Sequence, residues 1–335
     1  MVLAPRGIHI DEENFYVTAF YHFDTTPLGL TPPLEDTPRS LHYKTQDALS
    51  ETKLWLDGTN NFINNLKNEY TVLTFYWNSE AEFADVGQQL LLLKEPRRMN
   101  RNTRGKFVPE RCLQERLKPT GELWVEPPIT QPNMPTRSYT FDIRPDCSYW
   151  VSLAGFSLKW SYAVESIVSI HRDRQGLLCP YLTVEFKKDA STMTNTIDQV
   201  ATAGSLALYN RYLLRKEHLD KVGKGYTEKK WRVVRRYGLT FEGSKFKIWC
   251  IEPTIDYTNG TWHGCRMVKL SAGECTVGGG SIENLIDWLN EVHAWGLKVH
   301  GPACMYDVKV VLLRSRGAPR TSLTEEELER LSSLE

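Results

Sequence analysis

The run Pro180-Tyr181-Leu182-Thr183-Val184-Glu185-Phe186-Lys187 constrains this chain more than any other stretch. Its aromatic and β-branched residues behind a proline read as a strand. Side chains alternate across a strand, so Val184 and Phe186 share one face and Glu185 and Lys187 the other. A carboxylate and an ammonium one strand repeat apart among apolar neighbours are costly to bury unless they are paired or hold a metal. A helix-like stretch follows, from about Thr196 to Lys216. Strands interleaved with helices predict a mixed α/β sheet with helices on its faces.

A second carboxylate completes the pattern. Asp146 lies 39 positions before Glu185, follows Pro145 and opens the run Tyr149-Trp150-Val151, which reads as another strand. Asp142, four residues earlier, is the competing acid if the register differs. Two carboxylates and a lysine form a minimal site for a divalent cation and an activated water. The plainer alternative is a Glu185–Lys187 salt bridge on a solvated strand face.

Pro145-Asp146, Glu185-Phe186-Lys187 and the helix after them resemble the PD-(D/E)XK nuclease superfamily. The surrounding text, Phe141 to Trp150 and Ala203 to Arg211, is similar to nuclease-like domains common in filamentous fungi. The likeness implies a restriction-endonuclease-like mixed sheet core, α-β-β-β-α-β, flanked by helices and carrying an N-terminal extension and insertions. It implies Mg²⁺ or Mn²⁺ held by Asp146 and Glu185, with the backbone carbonyl of Phe186 as a further ligand and Lys187 assisting the attacking water. The implied activity is phosphodiester hydrolysis by an endonuclease, with DNA favoured over RNA and a homodimer allowed. Gln199 would touch substrate or water, and Glu82 would be the acid of the first helix. Both also fit capping boxes, Thr196 to Gln199 and Ser79 to Glu82. Ala203 and Gly204 stand where some exonuclease branches carry a tyrosine, which speaks against that assignment. Two other readings stay open: a non-catalytic nuclease fold that binds nucleic acid or a protein, and an intracellular nuclease toxin of genetic conflict.

Charge distribution bears on the partner. The 335 residues carry no net charge, which argues against a simple polyelectrolyte binder. Residues 1–86 hold 13 acids and 5 Lys/Arg, whereas residues 94–118 hold 9 Lys/Arg and 3 acids, and residues 211–236 hold 10 and 3. Basic segments flanking the motifs attract phosphate backbones. Lys188, Arg211, Arg215, Lys229, Lys230 and Arg232 are the expected contacts, against a plain solvated surface. Seven scattered cysteines without a C-x-x-C pair read as reduced thiols. Met1 to Asn14 lacks an apolar signal core and no run reaches membrane-spanning length, so an intracellular location, cytoplasmic or nuclear and not secreted, is expected, with no membrane partner.

The pattern divides into an acidic extension packed on the core (1–70), a nuclease-like domain (71–313) and a charged tail (314–335). Helical spacing runs from Leu54 to Leu66, and Tyr70 to Trp77 reads as a strand. The Ser79–Glu82 box opens a helix through about Lys94. Strands are expected at Tyr139–Ile143, Cys147–Leu153, Arg232–Phe241, Lys245–Ile251, Cys265–Leu270 and Tyr306–Leu313. Further helices are expected at Ser161–Ile170, from Ser281 to about Trp295, and in the tail from Thr324.

Overall fold

The motif run does form a strand, Leu177–Lys187, buried along its length up to Phe186. It lies inside a sheet in a computed structural model that describes residues 2–13, 52–95, 109–120, 124–135, 138–152, 177–188, 193–223 and 225–315. Within those residues the strands are β1 (Ile8–Asp11), β2 (Pro109–Leu113), β3 (Cys147–Ser152), β4 (Leu177–Lys187), β5 (Arg236–Glu242), β6 (Lys245–Asp256) and β7 (Thr261–Glu274). They form one mixed sheet in the order β1-β7-β6-β5-β4-β3-β2. Strands β2, β3 and β4 run antiparallel in succession, β5 joins β4 in parallel, and β1 joins β7 in parallel.

Parallel strands need a crossover, and between β4 and β5 it is the 30-residue helix Met193–Val222. In chain order the helices are α1 (Asn60–Phe75), α2 (Glu80–Val86), α3 (Met193–Val222), the single turn α4 (Glu228–Trp231), α5 (Ile282–Trp295) and α6 (Gly301–Ser315). One face of the sheet, with Val184, Phe186, Leu239 and Phe241, buries against α1, α2 and α5. Ile197, Val200 and Leu208 of α3 pack with Trp249, Ile251 and Met267 on the other face. Two glycines let α3 sit close: a Cβ on Gly204 would come within 2.2 Å of Ile251, and one on Gly238 within 2.4 Å of Val200.

Several expectations need correction. Tyr70–Trp77 is not a strand. Tyr70 and Leu73 belong to α1, where Ile63, Leu66, Tyr70 and Leu73 make one buried stripe. Strand preference spans only ~1 kcal/mol, while burying one such side chain contributes about 1.5–3 kcal/mol, so packing decides. Tyr306–Leu313 is likewise helical, within α6, because Cys304, Val308 and Val311 all reach the core at helical spacing. Tyr139–Ile143 makes only a single bridge, Leu117 to Ile143. The lead-in supplies an edge strand, β1, which the proline-rich sequence around it hid. The Ser79–Glu82 capping box is present, and the helix it opens continues as a π-helical turn, Gly87–Leu91. The helix expected at Ser161–Ile170 and the tail helix from Thr324 lie outside the described residues.

Candidate active site

Ladder register brings the two distant carboxylates together. Cys147 pairs with Val184, so the residue before β3, Asp146, lies beside Glu185. The backbone N–H of Phe186 donates to Asp146 Oδ2 at 2.8 Å. Gln114, just past β2, donates from Nε2 to Asp146 Oδ1 at 2.5 Å. Glu185 is 3% exposed. Burial first, and then the negative charge of Asp146, push its carboxyl up to about 9, with Lys187 opposing. The pair therefore holds a proton on Glu185 at neutral pH, as two close carboxylates do when no cation separates them.

Lys187 shares the face of Glu185. Its ammonium donates to the carbonyl of Phe186 at 2.8 Å and to Glu80 Oε1 at 3.2 Å. Glu80 comes from the first turn of α2. Sequence reasoning had placed the helix acid at Glu82. That carboxylate is turned back onto Ser79, accepting from its N–H at 2.7 Å and its hydroxyl at 2.9 Å, and these bonds hold it below the usual carboxylate range. The capping-box signal at Ser79 was legible. With Glu82 taken up by that box, Glu80 reaches Lys187, and nothing in the sequence around Gln114 marks it as a partner of Asp146.

An opening of about 780 Å³ adjoins Glu185 and Lys187 and is also lined by Asp198, Gln199 and Thr202 from the start of α3. Gln199 thus shares the opening with both motif residues. Burial pushes the Asp198 carboxyl up. Asp142, the competing acid, lines the same opening but is held by Arg116, whose Nε donates to Oδ1 at 2.6 Å, and this bond lowers its pKa.

The basic residues divide. Lys188 is exposed at the end of β4. Arg211 and Arg215, expected at a phosphate surface, are instead buried, 3% and 4% exposed. Both face Asp307 of α6, at 2.6 and 2.7 Å, and His218 Nδ1 lies 2.5 Å from the same carboxylate. Their place on the inner side of α3 was hidden because a basic residue on a helix reads as solvated. Lys229, Lys230 and Arg232 precede β5, whereas Lys187 pairs with Glu242 at its far end. Six strand steps, roughly 20 Å, separate Arg236 from the Glu242 that pairs with Lys187, so these three precede the end of β5 opposite to the motif lysine.

Among the described residues, no three His, Cys, Asp or Glu side chains converge as a metal cage. Mg²⁺ does not require one, since it keeps several waters and is held by one or two carboxylates. Asp146 and a Glu185 forced to keep its proton are a donor pair of that kind, because a cation between them would relieve the repulsion. The Phe186 carbonyl already accepts from Lys187 and keeps a second lone pair. No family model matches the chain, and no curated protein matches it. Among the described residues no helix is long and apolar enough to cross a membrane.

Proposed function

We propose that this protein is a Mg²⁺- or Mn²⁺-dependent nuclease of the PD-(D/E)XK type, acting as an endonuclease on DNA. The observation that carries the reading is the β3–β4 register, which sets Asp146 beside Glu185 with Lys187 on the same face. The order of elements agrees with a restriction-endonuclease-like core: α2, the antiparallel run β2-β3-β4, the crossover α3 and the parallel β5. Asp146 and Glu185 would hold the cation, with the Phe186 carbonyl available. A cation bound there supplies an acidified water and neutralises charge on the scissile phosphate. Asp146 is held by N–H donors on both oxygens, so its direction is set before any ligand arrives. Glu185 releases its proton to become a ligand. The Lys187 ammonium, tethered by Phe186 and Glu80, would orient a water or steady the negative charge on a phosphate oxygen at the opening, while the cation would make that water acidic enough to give its proton to solvent. Gln199, on the wall contributed by α3, contacts substrate.

One observation favours a second reading, a nuclease fold that binds without cutting. Lys187 is already engaged by Glu80, and Arg211 and Arg215 are spent in the core. Supercoiled plasmid and single-stranded RNA, incubated with Mg²⁺, Mn²⁺ or EDTA, separate the two. Metal-dependent cutting that falls at least ~10²-fold in Glu185→Ala and Lys187→Ala is the expected result. A protein that binds these substrates but leaves them intact with either metal would favour the second reading.

A further inference from the structure

Gln114 stands just beyond β2, in no motif. Its φ is 51°, in the left-handed region that glycine and asparagine tolerate and other side chains resist. Among the described residues only Trp77 and Cys179 share this strain without being glycine. The side chain is exposed, so packing does not explain why a glutamine occupies a backbone suited to glycine.

What the position does is grip Asp146 twice. The Gln114 backbone N–H donates to the Asp146 carbonyl at 3.3 Å. Its side-chain amide donates to Oδ1 at 2.5 Å, while the Phe186 N–H takes Oδ2 at 2.8 Å. A glycine would preserve the first contact and lose the second. The carboxylate is thereby fixed about its own torsion, with one donor on each oxygen.

We propose that Gln114 is a positioning residue that presets the Asp146 carboxylate for a divalent cation. At that strained backbone the glutamine supplies a side-chain donor to Oδ1 that a glycine would lack. This rests on the reading that Asp146 and Glu185 hold the cation. Hydrogen-bond partners that orient a metal ligand change affinity about 10- to 100-fold when removed.

The test measures Mn²⁺ binding to the full chain by electron paramagnetic resonance of the free ion, together with Tm in EDTA. It compares wild type, Gln114→Gly, Gln114→Met and Glu185→Ala. Gln114→Gly relieves the backbone and is expected to melt at or above the wild-type temperature while binding Mn²⁺ about tenfold more weakly. Gln114→Met keeps the length and the strained backbone without a donor, and should weaken binding to the same extent. A merely structural glutamine gives the reverse, a lower Tm for Gln114→Gly with unchanged affinity, and that result overturns the proposal. So does wild-type affinity in Gln114→Met. If wild type itself binds no Mn²⁺, or Glu185→Ala binds it equally well, the cation reading fails and Gln114 falls with it. That outcome is distinct from a metal-binding wild type with unaltered Gln114 variants.

Discussion

Glu185 stores more electrostatic tension than any other residue of the candidate site. Its carboxyl titrates near 9 in the folded chain against an ordinary 4.5. Below pH 4.5 both states hold the proton and the group is neutral to stability. As pH rises from there toward 9, the unfolded chain ionises and the folded one does not, so stability falls through that window. Glu185→Gln removes the conflict. Its Tm should exceed wild type at pH 8, by an amount corresponding to at most a few kcal/mol, and the gain should shrink to nothing near pH 4.5. Identical melting at pH 8 would mean that the carboxylate is already compensated. Added Mg²⁺ should raise the Tm of wild type and not of Glu185→Gln, since only the carboxylate is a ligand of the native state. At this scale the sequence was informative where alternation alone decides, as for Glu185 and Lys187. It was silent where a side chain's direction depends on its neighbours: Glu80 and Glu82 differ by half a helical turn, and the Ser79 cap takes one and leaves the other for Lys187.

Helix α6 docks on α3 through charge as well as apolar contact. Burial alone would raise the pKa of Asp307, but Arg215, Arg211 and His218 around it hold it below the ordinary range. A buried cluster of this kind adds little over an apolar replacement of the whole, yet removing one partner strands the others. Asp307→Ala is therefore expected to cost ~3–5 kcal/mol in urea unfolding, whereas Lys216→Ala, whose ion pair with Asp220 sits at the surface, should cost less than ~1 kcal/mol. A small loss at Asp307 would show that α6 holds by its apolar stripe alone. The same helix marks the limit of legibility for elements. Strand β4 and the Ser79 cap were readable because burial and capping chemistry are local there, whereas α3 starts at Met193, so Thr196 sits inside the helix and Thr196 to Gln199 is no cap. Tyr70–Trp77 is rich in β-branched and aromatic residues and Tyr306–Leu313 in valine and leucine, which suggests strand, while the buried positions follow a period of 3.6.

Across the whole molecule, the first dozen residues close the sheet and do not trail from it. Strand β1 runs beside β7 from Ile8↔Cys265 to Asp11↔Val268. The backbones meet at Gly7 and Gly264, where a Cβ on Gly264 (φ 133°) would lie 2.1 Å from the Gly7 carbonyl oxygen. Gly264→Ala should destabilise by about 1–3 kcal/mol, measured by denaturant unfolding. Deleting residues 2–11 bares Cys265–Val268 in the middle of β7, and light scattering should report association, the usual fate of a newly unpaired edge. An unchanged monomer after the deletion would assign β1 no protective role. The β3–β4 hairpin has a different consequence. Its ladder pairs Cys147 with Val184 at one end and Ser152 with Leu177 at the other, and the connecting residues 153–176 leave from the second end. The gap between Asp146 and Glu185 is thus measured out by hydrogen-bonded rungs, not by the length of chain that joins them.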